Sequence, residues 1–254
     1  MNFTTCFTLY KKEISRFAKV WMQTVLAPML TSLLYLVIFG HVLQGRVEVF
    51  PGVDYVSFLI PGLLIMAVIQ NAFANTSSSM VQSKMMGNIV FILLPPISEF
   101  EMYLAYIAAA ITRGLVVGLG VLALALVYAD LSIHSLATIV LFAILGSYTM
   151  GALGLLAGIW AEKFDQIAAF QNFLIMPLTF LSGVFYSIKS LPEFWYQASV
   201  WNPFFYMIDG FRYGFFGQSD NPVQHSFLVV AAFALVITLV CLFVLRSGYK
   251  LRDA

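Results

Sequence analysis

Six apolar windows, at residues 21–39, 55–74, 102–128, 136–160, 167–186 and 227–245, constrain this chain more than any other feature. Each reaches the roughly 20 residues that a helix needs to cross about 30 Å of hydrocarbon. A backbone in lipid has no water to bond, so windows of this length read as helices. The expected fold class is therefore all-α integral membrane, with six transmembrane helices in one domain over residues 1–254. Composition agrees, since 61% of residues are hydrophobic and 10% charged, where a soluble domain carries about 25% charged residues. A net charge of +1 offers no basic excess for nucleic acid, which is excluded as a partner.

Six crossings put both termini on one side. Lys11, Lys12, Arg16, Lys19, Lys84, Lys163, Arg246, Lys250 and Arg252 then share a face, against Arg46, Lys189 and Arg212 on the other. The positive-inside bias places both termini in the cytoplasm, as expected of a multi-pass protein of the bacterial inner membrane. Residues 21–39 are too long for a signal h-region and no small-residue cleavage site follows, so this window is expected to stay in the mature protein.

Ahead of the first window, Phe3, Phe7, Tyr10, Ile14, Phe17 and Trp21 recur at steps of three and four, opposite Thr8, Lys11, Lys12, Ser15 and Lys19. Residues 1–20 read as an amphipathic helix in the inner interface, its basic flank facing anionic membrane lipid. The same pattern also fits a cytoplasmic helix packed on a partner protein.

The loop at residues 79–101 reads SMVQSKMMGNIVFILLPPISEFE and falls on the cytoplasmic face. Asn88, Ile89, Val90, Phe91, Ile92, Leu93 and Leu94 form a short apolar helix, with Asn88 as its cap and Pro95-Pro96 ending it. It is too short to span. Such a helix either packs under the bundle or enters a groove on another protein.

Polar residues inside the windows are few. Gln70, Asn71, Gln171 and Asn172 either line a polar route or bond neighbouring helices. Arg113 is costly in hydrocarbon, and snorkelling towards the cytoplasmic end of a helix that begins below the membrane would relieve it. Gly114 with Gly118, and Gly154 with Gly158, have the spacing that lets helix backbones approach, most simply within the chain.

Residues 177–214 read PLTFLSGVFYSIKSLPEFWYQASVWNPFFYMIDGFRYG. Aromatics beside Pro, Asn and Gly breaks suit short helices that return into the outer interface, because Trp and Tyr favour the headgroup layer and Pro ends helices. Trp195, Trp201, Asn202, Pro203, Tyr206, Asp209 and Arg212 are the candidate outer-gate residues of this re-entrant segment, residues 190–216. Asp209 and Arg212 are three apart and share a helical face. They either pair beneath Trp195, Trp201 and Tyr206, pinning the Asn202-Pro203 turn against the fifth window, or sit solvated at the outer rim.

In order and spacing, this segment resembles the type-2 ABC exporter permeases, the membrane subunits of ATP-driven exporters. The start, KKEISRFAKVWMQTVLAPMLTSLLYLVIFG, looks like the interfacial helix and first span of the family's small members. The end, SGYKLRD, looks like their basic tail, and SK..GNI...LLPPIS resembles the coupling helix that docks on the ATPase. Many members carry more charge in that loop, so the resemblance implies a mostly apolar dock here. It also implies ATP-driven export with a separate ATPase, and since one copy has too few helices for a large pathway, a homodimer with two ATPase copies is expected. An aromatic-rich chain with few charges suits an amphiphilic, lipid-like or drug-like substrate, although polysaccharide exporters use the same scaffold and composition does not choose between them. ATP and Mg would be bound by the partner, because no GxxxxGK[ST] occurs in this chain.

Other chemistry has little support. Cys6 and Cys241 lie far apart with no metal-ligand spacing. His41, His134 and His225 fall near the outer ends with Glu48, Asp54, Asp130 and Asp220, but without HExxH or GxSxG, so no catalytic residue and no cofactor on this chain is expected. The alternatives are a channel or scaffold that consumes no ATP and, with less support, a membrane-embedded enzyme.

Overall fold

The computed structural model describes residues 3–43, 49–129 and 131–250. Arg46, Glu48, Asp130, Arg252 and the end of the basic tail lie outside the described residues, as does the side chain of Phe3. Among the described residues the chain is helical, with no strand beyond an isolated bridge between Phe50 and Val53.

Helix α1 is Phe3–Ala18, as its amphipathic pattern predicts. A π-helical turn, Met22–Leu26, leads into α2, Ala27–Leu43. Helix α3, Tyr55–Met85, starts at Asp54, whose carboxylate accepts from Val56 N at 3.1 Å. It ends where Gly87 takes φ +68°, a conformation glycine adopts without a Cβ penalty. Helix α4, Ile89–Leu93, is the predicted short helix, but the Asn88 side chain makes no capping bond. Helix α5, Glu99–Ala125, opens with a capping box between Ser98 and Glu101, and α6, Leu136–Trp160, opens on a Ser135 cap.

The fifth window is helical to Phe180 rather than to Tyr186 and carries a π-helical turn. It forms α7, Phe164–Phe170, a π-helical turn, Gln171–Ile175, and α8, Met176–Phe180, of seven, five and five residues. The chain then turns through residues 181–186, with Gly183 at φ +75°. Five helices of the described residues are long and apolar enough to cross a membrane: Met22–Val42, Tyr55–Met85, Glu99–Ala125, Leu136–Trp160 and Val223–Ser247. A 3-10 turn, Ile188–Ser190, helix α9, Glu193–Val200, and helix α10, Pro203–Phe216, precede the last of these, α11, Val223–Ser247.

Helix α3 is the axis, packed chiefly against α6 and α5. The glycine pairs make that approach. A Cβ on Gly154 would lie 2.3 Å from Phe73 O, and one on Gly118 would lie 2.6 Å from the Val68 side chain. Thr76 Oγ1 donates to Gly151 O at 2.7 Å, a bond available only to backbones this close. Helices α2 and α11 stay peripheral, with Leu34, Leu235 and Phe243 exposed as lipid-facing residues would be.

Candidate functional site

The first region is the segment after α8. Asn202 caps α10 by accepting from Phe204 N at 3.1 Å, and Pro203 follows where no N–H is needed. The Asn202 amide also donates to Leu178 O at 2.7 Å and Ser182 Oγ at 3.0 Å, and with Ser199 Oγ, which donates to Leu181 O at 2.9 Å, it ties this turn to the fifth window. Tyr206 is buried and donates to Val200 O at 2.9 Å.

Asp209 and Arg212 are 0% and 1% exposed, which removes the solvated-rim reading. Among the described residues no ion pair joins them. The Asp209 carboxylate accepts from Asp220 N at 2.7 Å, Asn221 N at 3.1 Å and Ser226 Oγ at 3.5 Å. Arg212 donates to Gly183 O at 2.8 Å and Val184 O at 3.3 Å, and its guanidinium lies 4.0 Å over the Phe58 ring. Nor are they roofed by the tryptophans, for Trp195 and Trp201 are 51% and 86% exposed. The pairing expectation fails because buried backbone donors and acceptors of two turns claim both groups first.

Sequence reasoning placed Asp220 among the acids of the outer ends but missed that it holds a turn. Its carboxylate accepts from Ser187 Oγ at 2.6 Å and Ile188 N at 3.2 Å, with Lys189 Nζ at 3.8 Å. Asp209, Asp220 and Arg212 thus clamp three turns, at residues 181–186, 187–190 and 217–222, into one cap. His134 and His225 pack edge-on against Tyr213 and Tyr206, each at 5.5 Å between ring centroids, and His41 is exposed.

The second region is the basic face. Ile89 of α4 is buried beside Leu9, Met80 and Met102, and Ile92 is partly buried with it. Val90, Phe91, Leu93 and Leu94 are 46%, 71%, 40% and 70% exposed, flanked by exposed Met85 and Met86. So α4 both packs under the bundle, through Ile89 and Ile92, and presents an apolar outer face. Helix α1 is bolted alongside: buried Glu13 receives Arg16 Nε at 3.1 Å, Lys12 Nζ at 2.8 Å and Ser79 Oγ at 2.7 Å. Arg16 reaches on to Asn75 Oδ1 at 2.9 Å and Ser78 Oγ at 3.2 Å. At the end of α6, Lys250 Nζ lies 2.7 Å from Glu162 and by that hydrogen bond holds its carboxyl below the usual range.

The third region is a lateral groove of about 270 Å³ between the first span, α3 and the π-helical turn at Gln171. Gln70, Asn71 and Gln171 line it together with Gln23, Thr31 and Ser32. Asn172 is exposed and does not line the groove. Gln23 and Gln171 each sit in one of the two π-helical turns, which occur frequently at functional sites. Arg113 does not snorkel. It is 9% exposed at mid-helix and donates to Asn71 Oδ1 at 3.1 Å, because α3 offers an amide acceptor closer than water.

Residues 4–216 match the family described as ABC-2 type transporter. The chain belongs to that family. It is 38% identical over 246 residues to the inner membrane transport permease YadH of Escherichia coli K12, covering 97% of this chain and 96% of that protein. Nodulation protein J of Rhizobium leguminosarum bv. viciae is 24% identical over 247 residues, 94% of this chain and 92% of its own length. The capsule polysaccharide export inner-membrane protein BexB of Haemophilus influenzae is 33% identical over 87 residues, about a third of each chain.

For an ABC-2 type transporter, the three regions divide the chain by depth: the clamped cap, the groove at the level of Gln70 and Asn71, and α4 with α1 on the basic face. Gln23, Thr31 and Ser32 were missed as groove residues although their polarity inside the first window was a signal. Among the described residues no group of three or more His, Cys, Asp or Glu could hold a metal ion.

Proposed function

We propose that this chain is the membrane-spanning permease subunit of an ATP-driven ABC exporter of the bacterial inner membrane, working as a homodimer with two copies of a separate ATPase. The apolar outer face of α4 carries the reading. Phe91 and Leu94 are held outward on the basic side by buried Ile89, which suits a knob for a groove on a cytoplasmic partner. Both termini are cytoplasmic in this reading, with α7, its π-helical turn and α8 as a sixth, composite crossing, and α9 and α10 as the re-entrant outer gate. One copy has too few helices for a large pathway, whereas a two-fold pair encloses one. The names of YadH and BexB, a transport permease and an export protein of inner membranes, support the class and the outward direction. The substrate is an amphiphile, lipid-like or drug-like, in keeping with a groove lined by neutral polar and apolar side chains and no charged one.

ATP binding on the partner draws the two ATPases together, and motion through α4 and α1 opens the path below the outer gate. The test is co-expression with an ATPase encoded beside it, followed by purification and ATP hydrolysis in nanodiscs. A stable complex whose hydrolysis rises with an amphiphilic substrate supports the reading. A chain that binds no ATPase and passes solute without ATP contradicts it in favour of a channel.

A further inference from the structure

Two arginines approach adjacent turns of one face of α3. Arg16 bonds Asn75 Oδ1 at 2.9 Å and Arg113 bonds Asn71 Oδ1 at 3.1 Å, and residues four apart on a helix are neighbours. One buried carboxylate, Glu13, serves Arg16 and Lys12. Arg113 has none: among the described residues Asn71 is its hydrogen-bond partner, and its Nε is buried without an acceptor. Asn75 Nδ2, one turn along α3, is likewise buried and unpartnered. An uncompensated cation in a low-dielectric interior demands a counter-charge.

Asn71 is the wall between that cation and the lateral groove. Its Oδ1 faces Arg113, its Nδ2 donates to Ala67 O at 3.0 Å, and it lines the groove with Gln23, Thr31, Ser32, Gln70 and Gln171. These side chains are neutral hydrogen-bonding groups that can hold a headgroup, while exposed Leu30 and Leu34 on α2 offer an apolar track beside it for a chain. We propose that the groove binds the anionic head of a single- or double-chain amphiphile, with Arg113 acting through Asn71 as the positive charge that selects it. This rests on the exporter reading for what becomes of the occupant. It narrows the substrate class to amphiphiles with a negatively charged head.

The test uses the full chain in phosphatidylcholine nanodiscs without any ATPase, with radiolabelled dodecyl phosphate as probe. Saturable binding is expected, competed by unlabelled dodecyl phosphate but not by dodecyltrimethylammonium or by inorganic phosphate at the same concentration. Asn71→Asp puts a carboxylate against Arg113, so it should preserve the fold and lower probe affinity at least about tenfold, as should Arg113→Gln, while Arg113→Lys retains binding. Should Arg113→Gln fail to fold, Asn71→Asp decides. Wild-type affinity in folded Asn71→Asp, or equal competition by the cationic detergent, overturns the proposal. Displacement by inorganic phosphate alone also overturns it, since the site would then take a free anion. Because no ATPase is present, failure here leaves the exporter reading standing, and failure of ATPase binding leaves this result intact.

Discussion

Asp209 and Arg212 lie one turn apart on α10, both buried, and yet each is committed to a different turn of the chain. Asp209 accepts from the N–H groups of Asp220 and Asn221, whereas Arg212 donates to the carbonyls of Gly183 and Val184. Their loss should therefore leave different marks. Asp209→Asn replaces one carboxylate oxygen by an NH₂ that faces a backbone N–H, and an unmet buried group costs about 1–3 kcal/mol. Hydrogen exchange should rise at residues 217–222 while residues 181–186 stay protected, and Arg212→Gln should show the reverse. Equal loosening of both turns by either variant would mean that the two residues act as one pair.

Helix α6 reaches α3 through Gly154, whereas Gly120 of α5 faces the first span, and the two neighbours make opposite predictions. A Cβ on Gly154 meets the backbone oxygen of Phe73 at 2.3 Å, which has no room to move. Gly154→Ala should destabilise the purified protein by about 1–3 kcal/mol, read as a lowered melting temperature in detergent. Gly120→Ala meets the flexible Met29 thioether at 2.9 Å and should change the melting temperature little. Equal effects would contradict the close α3–α6 contact.

Cys6 reports whether α1 is bolted down. Its thiol sits against Glu101 O at 3.5 Å, and burial, with the Glu101 charge second, pushes its pKa up, so little thiolate forms at neutral pH. Arg16→Ala removes the bonds to Asn75 and Ser78 that hold α1 on α3. Maleimide labelling of Cys6 in inside-out vesicles should then accelerate by about tenfold or more, with no labelling from the opposite side. An unchanged rate would place the anchorage of α1 elsewhere.

Much of this architecture is legible because its signals are local. The periodicity of α1, the apolar windows, the Pro-Pro stop after α4 and the Asn202-Pro203 cap each need only neighbours in sequence. The remainder depends on partners far along the chain. Asp220 reads as an ordinary loop acid until Ser187 and Ile188, about thirty residues earlier, are seen to donate to it. The π-helical turns at Met22 and Gln171 have no composition of their own, so nothing in the first or fifth window announced them. Arg113 was expected to snorkel because α5 alone offers no acceptor; Asn71 of α3 does. Ile89 was taken for a docking residue, but folding buries it, which leaves Phe91 and Leu94 to face outward.

That division within α4 allows the most direct test. A photo-reactive amino acid placed in turn at Phe91, Leu94 and Ile89 would be activated in membranes containing the co-expressed ATPase. Adducts at Phe91 and Leu94 are expected to contain the ATPase, and the intact complex is expected to weigh as two permeases with two ATPases. Ile89, buried beneath, should cross-link only within its own chain. ATPase adducts at Ile89 but not at Phe91 or Leu94, or none at any of the three in a complex that still hydrolyses ATP, would contradict the assignment of α4 as the dock.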